Sequence, residues 1–319
     1  MAEVSGIPKL IVGATIVSLA TTLPEMLVSA FSAVSARVTG NAADIDMSIG
    51  NAVGSVTANT GLILAIALIF MAGAIRRRDY LLKSCLFIGS AAVIAAFGVT
   101  GELGLAPNLI LLVVFAVAMT ENVLGAVRQV RAGKAAAETD GAGDEALPEL
   151  APDGARPTAN GRLWTKNVLL FLLGAAAIGI GANVLVNSAQ YVAEAAGVSE
   201  RVISVTILAV GTSLPELVTT VTAVVKREMS LSAGNIIGAN IIDTTLIMPI
   251  CSLISGKALP VTPQVGRIDL PATLLVAVVA LVPALFARRF MKWQGFLLLA
   301  LYVGYLVLTC FFGEQIAAL

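Results

Sequence analysis

The sequence predicts an all-α integral membrane protein built from two inverted repeats, and three observations carry that reading. Of 319 residues, 58% are hydrophobic and only 13% charged, with a mean hydropathy of +0.93, whereas a soluble domain carries about 25% charged residues. Apolar stretches long enough to cross a ~30 Å hydrocarbon core recur along the whole length, more than one leader or anchor explains. The third observation is that one stretch of sequence occurs twice.

About nine spans are read, at residues 10–34, 48–74, 81–99, 109–127, 168–191, 203–225, 231–254, 270–286 and 293–312. Residues 128–167 break the pattern. They are polar and rich in Ala, Gly, Pro, Asp and Glu, so they bury no core and read as a mobile cytoplasmic linker between membrane halves 1–127 and 168–319. With the linker inside and the sides alternated, all of the 20 basic residues except Arg37, Arg201, Lys257 and Arg267 fall on its side. Arg76, Arg77 and Arg78 then serve as a topology anchor, and the C-terminus faces out.

Composition also excludes several chemistries. The net charge is zero, which gives no case for nucleic acid, and there is no histidine. Cys85, Cys251 and Cys310 are far apart, so disulfides, zinc, haem and iron–sulfur clusters lack support. What remains is carboxylate, hydroxyl, amide and backbone oxygen, the hard ligands that suit Na⁺, K⁺, Ca²⁺ or Mg²⁺.

The first repeat, residues 11–70, carries GATIVSLATTLPEMLVSAFSAV and then SIGNAVGSVTANTGLILAIALI. The second, residues 203–254, carries VTILAVGTSLPELVTTVTAVV and then SAGNIIGANIIDTTLIMPICSL. Gly50, Asn51 and Gly54 match Gly234, Asn235 and Gly238, and Asn59 follows Asn51 at the interval by which Asp243 follows Asn235. On the topology above the first copy starts inside and the second outside. Inverted repeats with interrupted helices place a substrate site near the midplane. A full span precedes the second copy, whereas the first begins close to Met1, so symmetry predicts a further helix upstream.

Each copy opens with Thr21-Thr22-Leu23-Pro24-Glu25 or Thr212-Ser213-Leu214-Pro215-Glu216 inside an apolar span. Pro24 and Pro215 remove an amide donor and clash with the carbonyl one turn back, which opens the helix and frees carbonyls beside a carboxylate. A bare Glu at bilayer depth costs at least ~2.5–3.5 kcal/mol, so two at matched positions call for a cation or proton. Gly50, Gly54, Gly234 and Gly238 let backbones approach closely, and Asn51 and Asn235 are placed to bond the freed backbone groups. Ser55, Asn59 and Asp243 lie on helical faces that reach the same gap. Glu25, Glu216 and Asp243 cannot all be ionised without a cation and would titrate as a coupled set.

These paired motifs resemble the alpha-1 and alpha-2 repeats of the sodium/calcium exchanger family, in the cation/calcium antiporter superfamily, of the prokaryotic calcium/sodium antiporter type. The resemblance implies an exchanger fold of about ten helices, with about nine present here. It also implies no enzyme activity, but secondary antiport of Ca²⁺ for Na⁺ by alternating access in a prokaryotic inner membrane. Its partners would be the lipid bilayer and those two ions, with no cofactor. Carried over by position, Glu25 and Glu216 would be the central calcium carboxylates, helped by Thr21 and Thr212. Ser18 and Ala209 would lend backbone carbonyls, and Thr22, Ser55 and Ser213 hydroxyls for sodium, with Asn59 and Asp243 flanking the centre. Ala239 stands where a serine is expected, and Ala20 and Thr22 replace the usual Gly and Ser. Three alternatives stay open. The first keeps the fold and couples to H⁺ or K⁺; the second is a non-transporting homologue. The third is an intramembrane hydrolase, since two membrane acids can activate water, although no GxGD-like segment is present.

Overall fold

The computed structural model describes residues 17–75, 77–139 and 200–317, with scattered positions between 169 and 197. Most of the expected span 168–191, and the start of the span 10–34, lie outside the described residues. The first repeat forms α1 (Ser18–Thr21), α2 (Leu23–Thr39) and α3 (Ala42–Phe70), followed by α4 (Arg77–Gly98) and α5 (Leu105–Thr139). The second repeat forms α6 (Ser204–Thr212), α7 (Leu214–Val225) and α8 (Met229–Ser255), followed by α9 (Val265–Ala287) and α10 (Lys292–Ala317). Among the described residues, six helices are long and apolar enough to cross a membrane, and α6 with α7 makes a seventh candidate bent by 52°.

Two boundaries depart from the hydropathy reading for local reasons. α3 starts at Ala42 rather than near Ser48, because the Asn41 side chain caps it by accepting from Ala43 N at 3.1 Å, with Asp44 in the first turn. Hydropathy is blind to a polar first turn. α5 runs on to Thr139, so the segment expected to be a linker from 128 opens as a helix. Its stretch Lys134-Ala135-Ala136-Ala137-Glu138 consists of the best helix formers.

Two loop pairings agree with the assigned sides. The two-residue strands β1 (Glu102–Leu103) and β2 (Leu259–Pro260) pair antiparallel and join the α4–α5 and α8–α9 loops, both expected outside. An isolated bridge between Ala74 and Arg289 joins the α3–α4 and α9–α10 loops, both expected inside. The larger core cluster runs between α3, α4, α8, α9 and α10 through Leu64, Leu68, Phe87, Ile237, Leu281 and Leu298.

α10 docks on the end of α3 through Gly295, where an added Cβ would lie 2.7 Å from the Ala65 carbonyl oxygen and 2.8 Å from Ile69 Cγ1. Backbone cannot yield as a side-chain tip does. Gly295→Val is therefore expected to cost about 1–3 kcal/mol by overpacking, read as a lower melting temperature of the purified protein. An unchanged melting temperature would refute this close contact.

Among the described residues, the chain winds as π-helix over Asn59–Leu64, Ser204–Leu208, Asp243–Ile247 and Val265–Asp269. Wide turns of this kind gather at functional sites. Two of them begin on Asn59 and Asp243, matched positions of the two repeats.

Candidate ion-binding site

Each proline motif breaks its helix as expected. Between α1 and α2 the chain turns at Thr22, with φ −78° and ψ −6°, and Pro24 lies in the first turn of the new helix. Between α6 and α7 it turns at Ser213, with φ −82° and ψ 7°, and Pro215 takes the same place. Proline is tolerated at the start of a helix because its missing N–H had no partner there anyway. The consequence is functional. Glu25 and Glu216 each fall in the first turn of a half-helix, where unpaired amides and the helix dipole favour negative charge.

Contacts between the repeats come in mirrored pairs. Thr212 Oγ1 donates to Asn51 Oδ1 at 3.3 Å, and Thr21 Oγ1 donates to Asn235 Oδ1 at 3.5 Å. Each threonine thus reaches the other repeat's asparagine, the exchange that a two-fold relation between the repeats produces. Asn51 Nδ2 then donates to the Glu25 carbonyl at 3.1 Å and to Ser29 Oγ at 2.9 Å, and Asn235 Nδ2 to Thr219 Oγ1 at 2.9 Å. The asparagines tie the second helix of each repeat to the first; Asn51 reaches a backbone carbonyl, as expected, whereas Asn235 reaches the Thr219 hydroxyl.

The glycines decide how closely the helices approach. An added Cβ at Gly54 would sit 2.9 Å from both Val205 Cα and Ala209 Cβ, and one at Gly50 would sit 3.1 Å from Ser204 Oγ. α3 therefore lies directly on α6, and Ser55 Oγ comes to 3.3 Å from Thr212 Oγ1 and 3.5 Å from the Ala209 carbonyl. Gly234 and Gly238 lie buried in α8 at the matching positions.

Glu25 and Glu216 are both fully buried. Ser213 Oγ, from the second repeat, donates to Glu25 Oε1 at 3.1 Å. Thr21 faces Glu216 across the repeat boundary without closing a hydrogen bond to it. Asp243 is close enough to interact electrostatically with both glutamates. One oxygen of Glu25, both carboxylate oxygens of Glu216 and Asp243, and both amide atoms of Asn59 are buried without a hydrogen-bond partner. Leaving such groups unpaired costs about 1–3 kcal/mol each, and more when charged. Of these, the carboxylates of Glu25, Glu216 and Asp243 lie close enough to interact with one another, and a cation is a partner that would satisfy their orphaned oxygens.

Among the described residues no three Asp, Glu, Cys or His side chains gather as a metal-holding group. Glu25 and Glu216 lie among hydroxyl and carbonyl oxygens, and Asp243 is close enough to interact with both. The Ser18 and Ala209 carbonyls face the breaks, but both already accept hydrogen bonds, from Thr21 Oγ1 and Thr22 Oγ1 and from Thr212 Oγ1 and Ser55 Oγ respectively. Thr22 donates its hydroxyl to the Ser18 carbonyl, in the same way as Thr212 and Ser55 donate to the Ala209 carbonyl.

Several buried polar residues escaped the sequence reading, Asn240 among them. Asn240 Nδ2 donates to Thr60 Oγ1 at 2.8 Å and its Oδ1 has no partner, so it pins α8 to the π-helical turn of α3. Its spacing three residues before Asp243, on the same helical face, was the available signal.

The sequence profile of the family described as "Sodium/calcium exchanger protein" matches residues 1–123 and 166–311, most of the chain. The chain belongs to the sodium/calcium exchanger family. This exchanger is 30% identical over 278 residues to the "Inner membrane protein YrbG" of Escherichia coli (strain K12), covering 86% of this chain and 78% of that protein. It is 28% identical to "Uncharacterized membrane protein MJ0091" of Methanocaldococcus jannaschii, over 93% of this chain and 85% of the other. A stretch of 148 residues, 45% of this chain and 41% of the relative, is 34% identical to "Sodium/calcium exchanger MaX1" of Methanosarcina acetivorans. Among solved structures, the sodium-calcium exchanger NCX_Mj superposes with a TM-score of 0.65 at 23% identity, covering 95% of this chain and 88% of that one. The exchanger fold expected from the repeats is therefore the fold found. The chain is a multi-pass membrane protein of a transporter family for cations.

Proposed function

We propose that this exchanger moves Ca²⁺ across a prokaryotic plasma membrane in exchange for Na⁺, by alternating access to one cage centred on Glu25 and Glu216. The observation that carries the reading is the pair of fully buried glutamates, one per repeat, with oxygens that lack partners. A carboxylate pair without a cation is costly to enclose in a medium of low dielectric, because unpaired buried charge is heavily penalised. Ca²⁺ neutralises both charges, and Na⁺ ions do the same at neighbouring hydroxyls and carbonyls. A cage that closes only when neutralised couples the two fluxes without ATP. The mirrored Thr–Asn contacts support the two-sided mechanism, since a two-fold arrangement presents the same chemistry to either face.

The test is ⁴⁵Ca uptake into proteoliposomes under imposed gradients. An outward Na⁺ gradient is expected to drive accumulation that collapses when Na⁺ is equalised. Uptake that follows an H⁺ or K⁺ gradient and ignores Na⁺ would replace the coupling ion. Absence of any counterflow, with the protein folded, would favour a non-transporting homologue.

A further inference from the structure

The two repeats hold their glutamates by different means. In the first, Ser29 and Ser48 exchange bonds between α2 and α3. Ser29 Oγ donates to the Ser48 carbonyl at 3.2 Å, and Ser48 Oγ donates to the Ser29 carbonyl at 2.9 Å. Ser29 lies one turn beyond Glu25 on the same face of α2, and its hydroxyl also accepts from Asn51 Nδ2 at 2.9 Å. The same amide donates to the Glu25 carbonyl at 3.1 Å. Both ends of this chain of contacts are anchored in the second repeat, at Cys251 Sγ, 3.0 Å from Ser48 Oγ, and at Thr212, which donates to Asn51 Oδ1. Ser29, Ser48, Asn51 and Glu25 are all buried.

The second repeat carries hydroxyls at the matching places, Thr220 and Ser232, and they are equally buried. Neither has a hydrogen-bond partner among the described residues. Asn235 Nδ2 reaches Thr219 Oγ1 at 2.9 Å instead, and Thr219 Oγ1 donates to the Glu216 carbonyl at 2.9 Å. The Glu25 carbonyl is thus held by its asparagine directly, and the Glu216 carbonyl through a threonine.

Ca²⁺ takes its oxygens at roughly 2.3–2.6 Å, so a small rotation of the first turn of α2 would misplace the Glu25 carboxylate. Groups that orient a metal ligand from behind typically control affinity by about 10–100-fold. We infer that Ser29 and Ser48 are positioning residues for the cation at Glu25, acting through Asn51, and that Thr220 and Ser232 play no such part at Glu216. The inference rests on the reading of Glu25 as a cation ligand.

The experiment is the Ca²⁺ dependence of ⁴⁵Ca exchange in proteoliposomes, with the melting temperature of each purified variant. Ser29→Ala and Ser48→Ala are expected to raise the half-saturating Ca²⁺ concentration about tenfold and to keep the maximal rate. Ser232→Ala, the matched control, is expected to leave the Ca²⁺ dependence at the wild-type value. Its melting temperature should hold or rise, since an unpartnered buried hydroxyl is removed. Ser48→Cys keeps nearly the size of serine with a weaker donor and carries the same expectation as alanine, so the test stands if the alanine variants do not fold. The inference is overturned if the Ser29 and Ser48 variants lose stability yet keep wild-type half-saturation, or if Ser232→Ala shifts it as far as they do. Glu25→Gln is measured alongside. Wild-type exchange in that variant overturns the reading of Glu25 and this inference with it. Unchanged Ca²⁺ dependence in the Ser29 and Ser48 variants, beside an inactive Glu25→Gln, overturns the inference alone.

Discussion

Replacing Glu25 or Glu216 with glutamine is expected to lower Ca²⁺ counterflow by at least ~100-fold, which corresponds to about 2.7 kcal/mol. Glutamine keeps the shape of the side chain and removes its charge. A dication and a carboxylate 4 Å apart attract by about 8 kcal/mol at an effective dielectric of 20, so most of that attraction can be lost to desolvation and the flux still falls by the stated factor. The fold should survive. Both side chains are fully buried, and Glu216 has no hydrogen-bond partner on either oxygen, so neutralising it removes an unpaired buried charge. The melting temperature in Ca²⁺-free buffer is expected to rise or hold while Ca²⁺ no longer raises it further. Exchange at wild-type rates in both glutamine variants would end the case for the glutamate cage.

The second large effect is expected at Gly54. A Cβ there would stand 2.9 Å from Val205 Cα and Ala209 Cβ, and the α6 backbone cannot move aside as a flexible side chain would. Gly54→Leu must therefore push α3 away from α6, and with it Ser55 from the Ala209 carbonyl and from Thr212. Loss of flux to background is expected, with destabilisation of at least about 1–3 kcal/mol from overpacking. Gly89→Ala in α4 is the control, because nothing lies within 4 Å of the added Cβ; it is expected to fold and transport normally. Comparable damage at Gly89 and Gly54 would show that the effect is a general intolerance to larger residues in these helices.

The membrane class, the spans and the repeat were legible because each rests on a one-dimensional pattern. The spans at 81–99, 203–225, 231–254 and 293–312 agree with their helices to within a few residues, since burial in lipid demands an uninterrupted apolar run. The helix breaks before Glu25 and Glu216 were legible for the same reason, because proline acts on its own turn. What was not legible depended on neighbours distant in sequence. The π-helical turns at Asn59 and Asp243 change which face a residue presents, and no periodicity announces them. The Asn240–Thr60 bond joins residues from opposite repeats.

The sequence by itself determined that this chain crosses a membrane repeatedly, that it doubles one unit, and that two acids lie at matched breaks in apolar helices. Local covalent rules suffice for that, namely hydropathy, the missing amide of proline and the small size of glycine. Only the tertiary structure decided that the asparagine of each repeat serves the threonine of the other, and which carboxylate oxygens lack partners. Those facts arise where two distant segments pack together, and the geometry of such a contact is set by both partners at once.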